Sequence, residues 1–527
     1  MTTETFADAL RAVVGAANVI DDRASRELFS QDIGGKAPFV AEMVVSPPDI
    51  AALAQAVAIA TGHGRAVFPR GGGVSYSGGY LASVARGVVF DLSRMDAILE
   101  INTEDMFVRV QPGVTWAALN DALRAKDVRT PFWGVQSGRV STVGGAVSQN
   151  ASYYGSGVNG GVADSVLSLR VVLADGRIIE SGSAAIDHAG PVNRNFGPDL
   201  TGLFLGDCGA LGIKGEICLR LMMRPLHEDF VSASFPDFAG AAAAMSAIAR
   251  LGVSGDGFMM DPALQAARLR RVSIAQDLES LSGVARNSSS LAKGLWSAAK
   301  VAIAGRDIVD ALGYSIHMSI EHRYADAVVA AVRDVTDACT KNGGRIVENS
   351  IPKVVRGTPF GPLNIVIGPE GQRWLPMHGI VPHSRSTMLH DAIRAVLDLH
   401  AEAMAREGVE CVVLASVVGA GLFQIDPVLN WPDEMYPLHE QLMDPSYRRR
   451  LSPAGANPAA RAVVDQLRNE FKAVFARLGA THMQLGRSYP YRERLGDANW
   501  RLLSAIKAEL DPENRMNPGA LGLGAQE

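Results

Sequence analysis

The chain of 527 residues is short of the features that mark several protein classes. No stretch is apolar for long enough to span a bilayer, and the start, Met1-Thr2-Thr3-Glu4-Thr5, lacks the basic and apolar run of a signal peptide. A cytoplasmic location is the resulting expectation. There is no dominant basic run, and the net charge is -5, so nucleic acid is not an expected partner. Only four cysteines occur: Cys208, Cys218, Cys339 and Cys411. None forms a Cys-x-x-Cys pair or a zinc-like cluster. Buried, reduced thiols are expected, and no metal site. There is no Walker A sequence, internal repeat or long low-complexity segment.

Glycine, by contrast, is plentiful, with 54 residues, and clusters at particular places. Such clusters mark close approach of main chain to a ligand. The length predicts two domains, or one with a large insertion, and 47% hydrophobic with 20% charged residues is ordinary for a globular chain.

Residues 40–45 read as a strand, and Asp49 opens a helix with Ile50, Leu53, Ala54 and Val57 on its apolar face. Ala66–Pro69 is a short buried strand, 88–92 and 107–110 are further strands, and a helix is predicted from Trp116 to Lys126. The strands look short and hairpin-like rather than a steady β-α-β repeat. From Gly134 to Gly161 regular patterning stops. The strands 168–173 and 177–180, joined at Asp175-Gly176, read as a hairpin. A glycine-rich stretch at 206–213 leads into a strand ending near Met223. After Pro225 helical patterns (238–251, 324–342) and strands (314–320, 411–418) predict an α+β second domain with helices on one face of a sheet.

The densest glycine run is Arg70-Gly71-Gly72-Gly73-Val74-Ser75-Tyr76-Ser77-Gly78-Gly79. It follows a buried strand directly, so its N–H groups can curl into an anion-binding nest, with a pyrophosphate as the natural guest. Gly155-x-Gly157-x-x-Gly160 matches a dinucleotide fingerprint, with Asp175 suitably placed. It should end a strand and open a helix, yet it follows no convincing strand and Val162 onward leads quickly to the strand at Ser168, so a nicotinamide cofactor is rejected.

Five segments together resemble the vanillyl-alcohol oxidase and p-cresol methylhydroxylase flavoprotein family. They are Pro47-Pro48 with 68–79, then 112–116, Thr142-Val143-Gly144-Gly145-Ala146-Val147-Ser148-Gln149-Asn150, Gly209-Ala210-Leu211-Gly212-Ile213, and Asp511-Pro512 with Met516-Asn517-Pro518-Gly519. The resemblance spans about 40–225 and the C-terminal end. It implies an FAD-binding domain of two small α/β subdomains over 1–225. An α+β cap, an antiparallel sheet flanked by helices, would cover 226–480, and 481–527 would return to the flavin. It also implies roles. Arg70, Gly71, Gly72, Gly73, Val74, Ser75, Ser77 and Gly78 would bind pyrophosphate. Pro112, Gly113, Thr142, Gly144, Gly145, Ser148 and Asn150 would run beside the ring and ribityl chain. Gly209, Gly212, Ile213 and Asn517 would complete the site through backbone and amide groups. Some members bond the flavin at the positions of Val74, the second loop or a cap strand that aligns with Gln424. Val74 cannot bond, 137–154 holds no Cys, and Gln424 stands at the cap position, so non-covalent FAD is expected.

For chemistry, His378 sits in an apolar, strand-like run (374–385), where it suits a proton acceptor; a core histidine is the competing reading. Arg487 in 481–491 suits a substrate carboxylate, or else a structural role. His482 and Tyr76 complete the catalytic candidates, with Tyr153 in reserve. Where phenol-oxidising members hold phenolate with a Tyr-Arg pair, Thr481 and His482 stand here; Ser77 and Gly161 replace a further Tyr and a carboxylate. These departures argue against a simple para-phenol. The expected reaction is oxidation of an aromatic (benzylic or phenolic) alcohol, with a 2-hydroxy acid as the alternative. A redox-neutral flavin-dependent transferase and a flavin-less binding protein are the readings from other classes. Oxygen, a quinone or a cytochrome would reoxidise the flavin, and a homodimer is allowed. The basic stretch 264–312 is expected to be a solvated cap helix rather than a membrane contact.

Overall fold

The computed structural model describes residues 5–265, 313–367, 371–449, 451 and 454–524. All but Leu264 and Gln265 of the basic stretch 264–312 lies outside them.

Three larger sheets, beside a two-stranded one, organise the described residues. The first has the order Val19–Ile20, Met43–Val45, Val88–Asp91, Val67–Arg70. Val88–Asp91 runs parallel to both Met43–Val45 and Val67–Arg70. The hairpin expectation is therefore corrected for this part. The helix Ile50–Gly62 is a true crossover, and the glycine loop after Arg70 is long enough to bring the chain back parallel. The helix begins where Asp49 accepts the Ala52 N–H at 2.8 Å, and it buries Leu53, Ala56, Val57 and Ala60.

The second sheet is antiparallel: Ile98–Asn102, Phe107–Val110, Ile213–Arg220, Val166–Val172, Ile178–Glu180. Its last pair is the predicted hairpin, with Gly176 at φ +82° and the Leu173 N–H donating to Arg177 O at 2.9 Å. The supposedly unpatterned stretch 134–161 contains two short helices, Val143–Gln149 and Ser156–Asn159. Paired glycines hide the first from propensity reasoning, while Thr142 caps it by accepting the Gly145 N–H at 3.2 Å.

The third sheet is antiparallel and larger, in the order Arg345–Val347, His227–Phe235, Tyr314–His322, Ser254–Met260, Glu410–Val418, Leu422–Pro432, Gln372–Pro376, with Gly379–Pro382 also on Leu422–Pro432. The helices Phe238–Leu251, Ala325–Lys341, Ser386–Leu399 and Pro458–Arg477 bury Met245, Val335, Leu389 and Phe471 in one core with Ile316, Met318, Phe423 and Ile425. Each such side chain contributes about 1.5–3 kcal/mol of burial. The chain is thus α+β, with mixed small layers followed by an antiparallel sheet and its helices.

The C-terminal segment returns to the first sheet. Val67 N–H donates to Arg515 O at 2.7 Å, and Asn517 N–H donates to Val67 O at 2.8 Å. Among the described residues no helix is long and apolar enough to cross a membrane.

Candidate active site

The glycine loop begins where Val67–Arg70 ends. A Cβ on Gly72 would meet the Val140 carbonyl, and one on Gly71 would meet the Thr142 hydroxyl. The loop therefore lies against 140–142 at a distance only glycine allows. Among the described residues, none of the N–H groups of residues 71–76 donates to a protein acceptor. Arg70 is buried beside them, its guanidinium 4.4 Å from the Phe29 ring centre, its Nε without a partner. No carboxylate among the described residues pairs with it. Free N–H groups and an uncompensated buried guanidinium fit a diphosphate, so the residues present fit FAD.

One cavity joins this loop to the large sheet. Of the residues expected to bind cofactor, Arg70, Gly71, Gly72, Gly73, Val74, Ser75, Pro112, Thr142, Gly144, Gly145 and Ser148 line it. So do Tyr76 and His378. His378 Nε2 is 2.7 Å from Tyr76 Oη, and His378 Nδ1 is 2.9 Å from Asp426 Oδ1. Its N–H donates to Tyr489 Oη at 2.6 Å. Burial above all, then the Asp426 and Tyr489 charges, pushes the Tyr76 hydroxyl well above the ordinary tyrosine range. Trp374 meets Tyr76 edge-on with ring centres 5.6 Å apart. Gln424, Ser152, Tyr153 and Met483 share this end of the cavity.

Other expected site residues are placed away from the cavity. Arg487, expected at a substrate carboxylate, spends its guanidinium on protein: Nη1 on Gly78 O at 2.6 Å, Nη2 on Asn517 Oδ1 at 2.6 Å and Pro518 O at 2.8 Å. It staples the glycine loop to the C-terminal segment. Asn517 does the same from the other side, donating to Gly79 O at 2.6 Å. Ser77 and Gly78 form the outer face of that loop, where Gly78 N–H donates to Asp32 Oδ2 at 2.8 Å and the Ser77 carbonyl accepts the Arg487 N–H at 3.0 Å.

His482 stands behind the site. Its Nδ1–H donates to His378 O at 2.6 Å, Arg494 donates to its Nε2 at 2.9 Å, and its ring stacks on Tyr489. Gly113 packs under the carbonyls of Leu92 and Met95, Gly209 against Pro69, and Gly212 against Val171. Ile213 is core, and Asn150 is a left-handed helix cap. These positions shape the walls without lining the cavity.

Sequence reasoning missed Asp426, which lies 48 positions from His378. Its one signal was alternation with Gln424 along an apolar strand. Cys208 also lines the cavity, but burial pushes its thiol up to about 12, so it is no thiolate nucleophile. No disulfide joins the four cysteines.

Residues 41–182 match the family model of the FAD binding domain, and residues 485–521 match that of the FAD linked oxidases, C-terminal domain. The chain thus carries an FAD-binding domain and the C-terminal element of FAD-linked oxidases, and FAD is its cofactor. By sequence it is 31% identical over 249 residues to glycolate oxidase subunit GlcD of Bacillus subtilis (strain 168), covering 47% of this chain and 51% of the relative. It is 34% identical over 176 residues to a mitochondrial D-lactate dehydrogenase [cytochrome] of Arabidopsis thaliana, covering 33% and 29%. The chain spans about half the length, or less, of these curated relatives. The crystal structure of p-cresol methylhydroxylase with substrate bound superposes with a TM-score of 0.73 at 17% identity, covering 98% of this chain and 96% of that one. The resemblance to the p-cresol methylhydroxylase group therefore holds as a fold, while the sequence relatives are glycolate oxidase and D-lactate dehydrogenases rather than vanillyl-alcohol oxidase.

Proposed function

We propose that the protein is an FAD-linked oxidoreductase acting on a hydroxyl-bearing carbon, with a 2-hydroxy acid as substrate. The observation that carries the oxidation reading is the Tyr76–His378–Asp426 hydrogen-bonded chain, which opens onto the same cavity as the glycine loop. Bound FAD supplies the hydride acceptor. The chain's own groups hold the substrate, exclude water and take the hydroxyl proton, with Tyr76 and His378 as the accepting pair. The names of the sequence relatives, which specify glycolate and D-lactate, support the acid substrate over an aromatic alcohol. Arg487 is engaged elsewhere, and the polar lining of the cavity includes the neutral side chains Gln136, Tyr153 and Gln484, with Gln136 Nε2 donating to Tyr153 Oη at 2.8 Å.

A benzylic alcohol is the second reading, favoured by the aromatic walls Tyr76, Tyr153 and Trp374. An anaerobic screen separates them. Glycolate, D- and L-lactate and a benzylic alcohol are added, and flavin absorbance at about 450 nm is followed. Bleaching by a hydroxy acid supports the first reading and bleaching by the aromatic alcohol alone supports the second. A flavin that no compound reduces would turn the assignment toward a redox-neutral transferase. The FAD is proposed to be non-covalent, since Val74 in the loop has no bonding group and the Cys208 thiol is held protonated. Acid precipitation should release yellow flavin to the supernatant; colour retained on the chain would refute this.

A further inference from the structure

Gln372–Pro376 and Gly379–Pro382 pair with Leu422–Pro432 in one continuous register. Pro376 stands opposite Val428 and Gly379 opposite Ile425, and between them Met377 N–H donates to Pro427 O at 2.9 Å. Continued through the break, the register sets His378 directly across from Asp426, the arrangement in which cross-strand side chains meet. Gln424, two residues along, projects to the same side. Its Nε2 donates to Asp426 Oδ1 at 3.1 Å and Oδ2 at 2.9 Å, while its Oε1 accepts from Ser152 Oγ at 3.1 Å. The acceptor-only carboxylate fixes which way the amide faces. Asp426 is 5% exposed, so its carboxylate depends on these donors and on His378.

We propose that Asp426 is a positioning residue for the oxidation assigned above. It holds His378 in the tautomer with the proton on Nδ1, so that Nε2 accepts the Tyr76 O–H. The proposal rests on the reading of Tyr76 and His378 as the proton-accepting pair. A substrate hydroxyl proton delivered to Tyr76 Oη is then matched by transfer of Tyr76's own proton to Nε2. The imidazolium formed is paired with the Asp426 carboxylate, and the relay gains the one proton that the substrate hydroxyl loses as its hydride leaves to the flavin. The other titratable groups facing His378 among the described residues are Tyr489 and His482. Both bind its main chain, at N–H and C=O respectively, and leave the ring to Asp426 and Tyr76.

The test reads the ring directly. Holoprotein carrying ring-nitrogen-labelled histidine is compared by NMR with His378→Gln, which assigns the His378 signals. The proposal requires a protonated Nδ1 and an unprotonated, hydrogen-bonded Nε2 in the wild type. An Nε2–H tautomer overturns it, and this result needs neither a substrate nor a second variant. Asp426→Asn should then shift the tautomer with FAD content retained, whereas an unchanged ring would also overturn it. With D-lactate, or whichever compound reduces the wild type, Asp426→Asn should slow flavin reduction by about 10²-fold or more and move its pH profile. Asp426→Glu should recover much of the rate, and an equal loss in both variants with an unmoved profile would mean a merely structural carboxylate. Failure of every substrate in the screen strikes at the oxidation reading, whereas a wrong tautomer strikes at Asp426 alone.

Discussion

His378 and Arg487 are both largely shielded from solvent, and their partners separate them. His378 sits on the cavity between Tyr76 and Asp426. Removing its ring takes one hydrogen bond from the Tyr76 side chain and none from the main chain of residues 71–75. His378→Ala should therefore keep the flavin spectrum and slow reduction by about 10²–10⁴-fold, the usual contribution of a proton acceptor. Unchanged reduction kinetics would move catalysis to other groups, with Tyr153 the next to test. Arg487 binds Gly78, Asn517 and Pro518 and is not among the residues lining the cavity described above. Burial pulls its guanidinium down to about 10, yet it is still charged at neutral pH. Arg487→Ala leaves several buried acceptors unpaired, so a loss of about 3 kcal/mol is expected in denaturant unfolding, with weaker FAD retention. Full stability with loss of substrate affinity alone would restore the carboxylate role that its sequence context suggested.

Among the elements, the glycine loop is the one whose geometry tolerates least. Gly72 lies against the Val140 carbonyl, and the nearby N–H groups find no protein acceptor among the described residues. A side chain there must displace either the loop or 140–142, and both line the cavity. Gly72→Glu also brings a negative charge to an anion nest. It should yield largely apo protein, read as the ratio of flavin to protein absorbance. Normal occupancy would mean the diphosphate is held elsewhere.

For the whole molecule, buried polar groups fasten the large sheet and its connections to the FAD-binding part. Arg356 pairs with Asp256 at 2.5 Å and with Glu321, which also binds Arg129. His439 Nε2–H donates to Ile33 O at 3.0 Å, and its Nδ1 accepts the Tyr436 N–H at 3.0 Å, which blocks protonation there. Burial, then Arg373, lowers His439 to about 3. Burial chiefly, with Arg494 and His378 adding to it against the bond to the His378 carbonyl, lowers His482 to about 4. An unfolded histidine titrates near about 6.5. Below that pH the unfolded chain binds protons that the folded chain refuses, so stability is fully present above about pH 6.5 and falls as the pH drops toward about 4. The unfolding midpoint of the holoprotein should thus be lower at about pH 5 than at about pH 7. Burial raises the Asp32 and Asp261 carboxyls to about 6, which acts in the opposite sense, so a fall that persists unchanged in a His439→Gln/His482→Gln variant would mean that these rings are not its source.

The local signals in the chain were enough to determine a good deal. The Asp49 cap, the Asp175-Gly176 turn and the helix Phe238–Leu251 follow from short-range patterns, and the structure has each of them. The loop 70–79 was legible for the same reason: five glycines after a buried strand permit one kind of close approach whatever surrounds them. The pairing of strands in parallel, the helix Val143–Gln149 and the division of the polar residues between cavity and scaffold were not legible. A side chain's sequence context says that it is polar and sits near a glycine loop; it does not say which way it faces. Arg487 turned toward Gly78 and Asn517 because the C-terminal segment comes back over the loop, and His378 met Asp426 because two distant strands pair in one register. Local chemistry set the close approach of the glycine loop, whereas the directions of the side chains around the cavity depend on long-range packing, which no local pattern encodes.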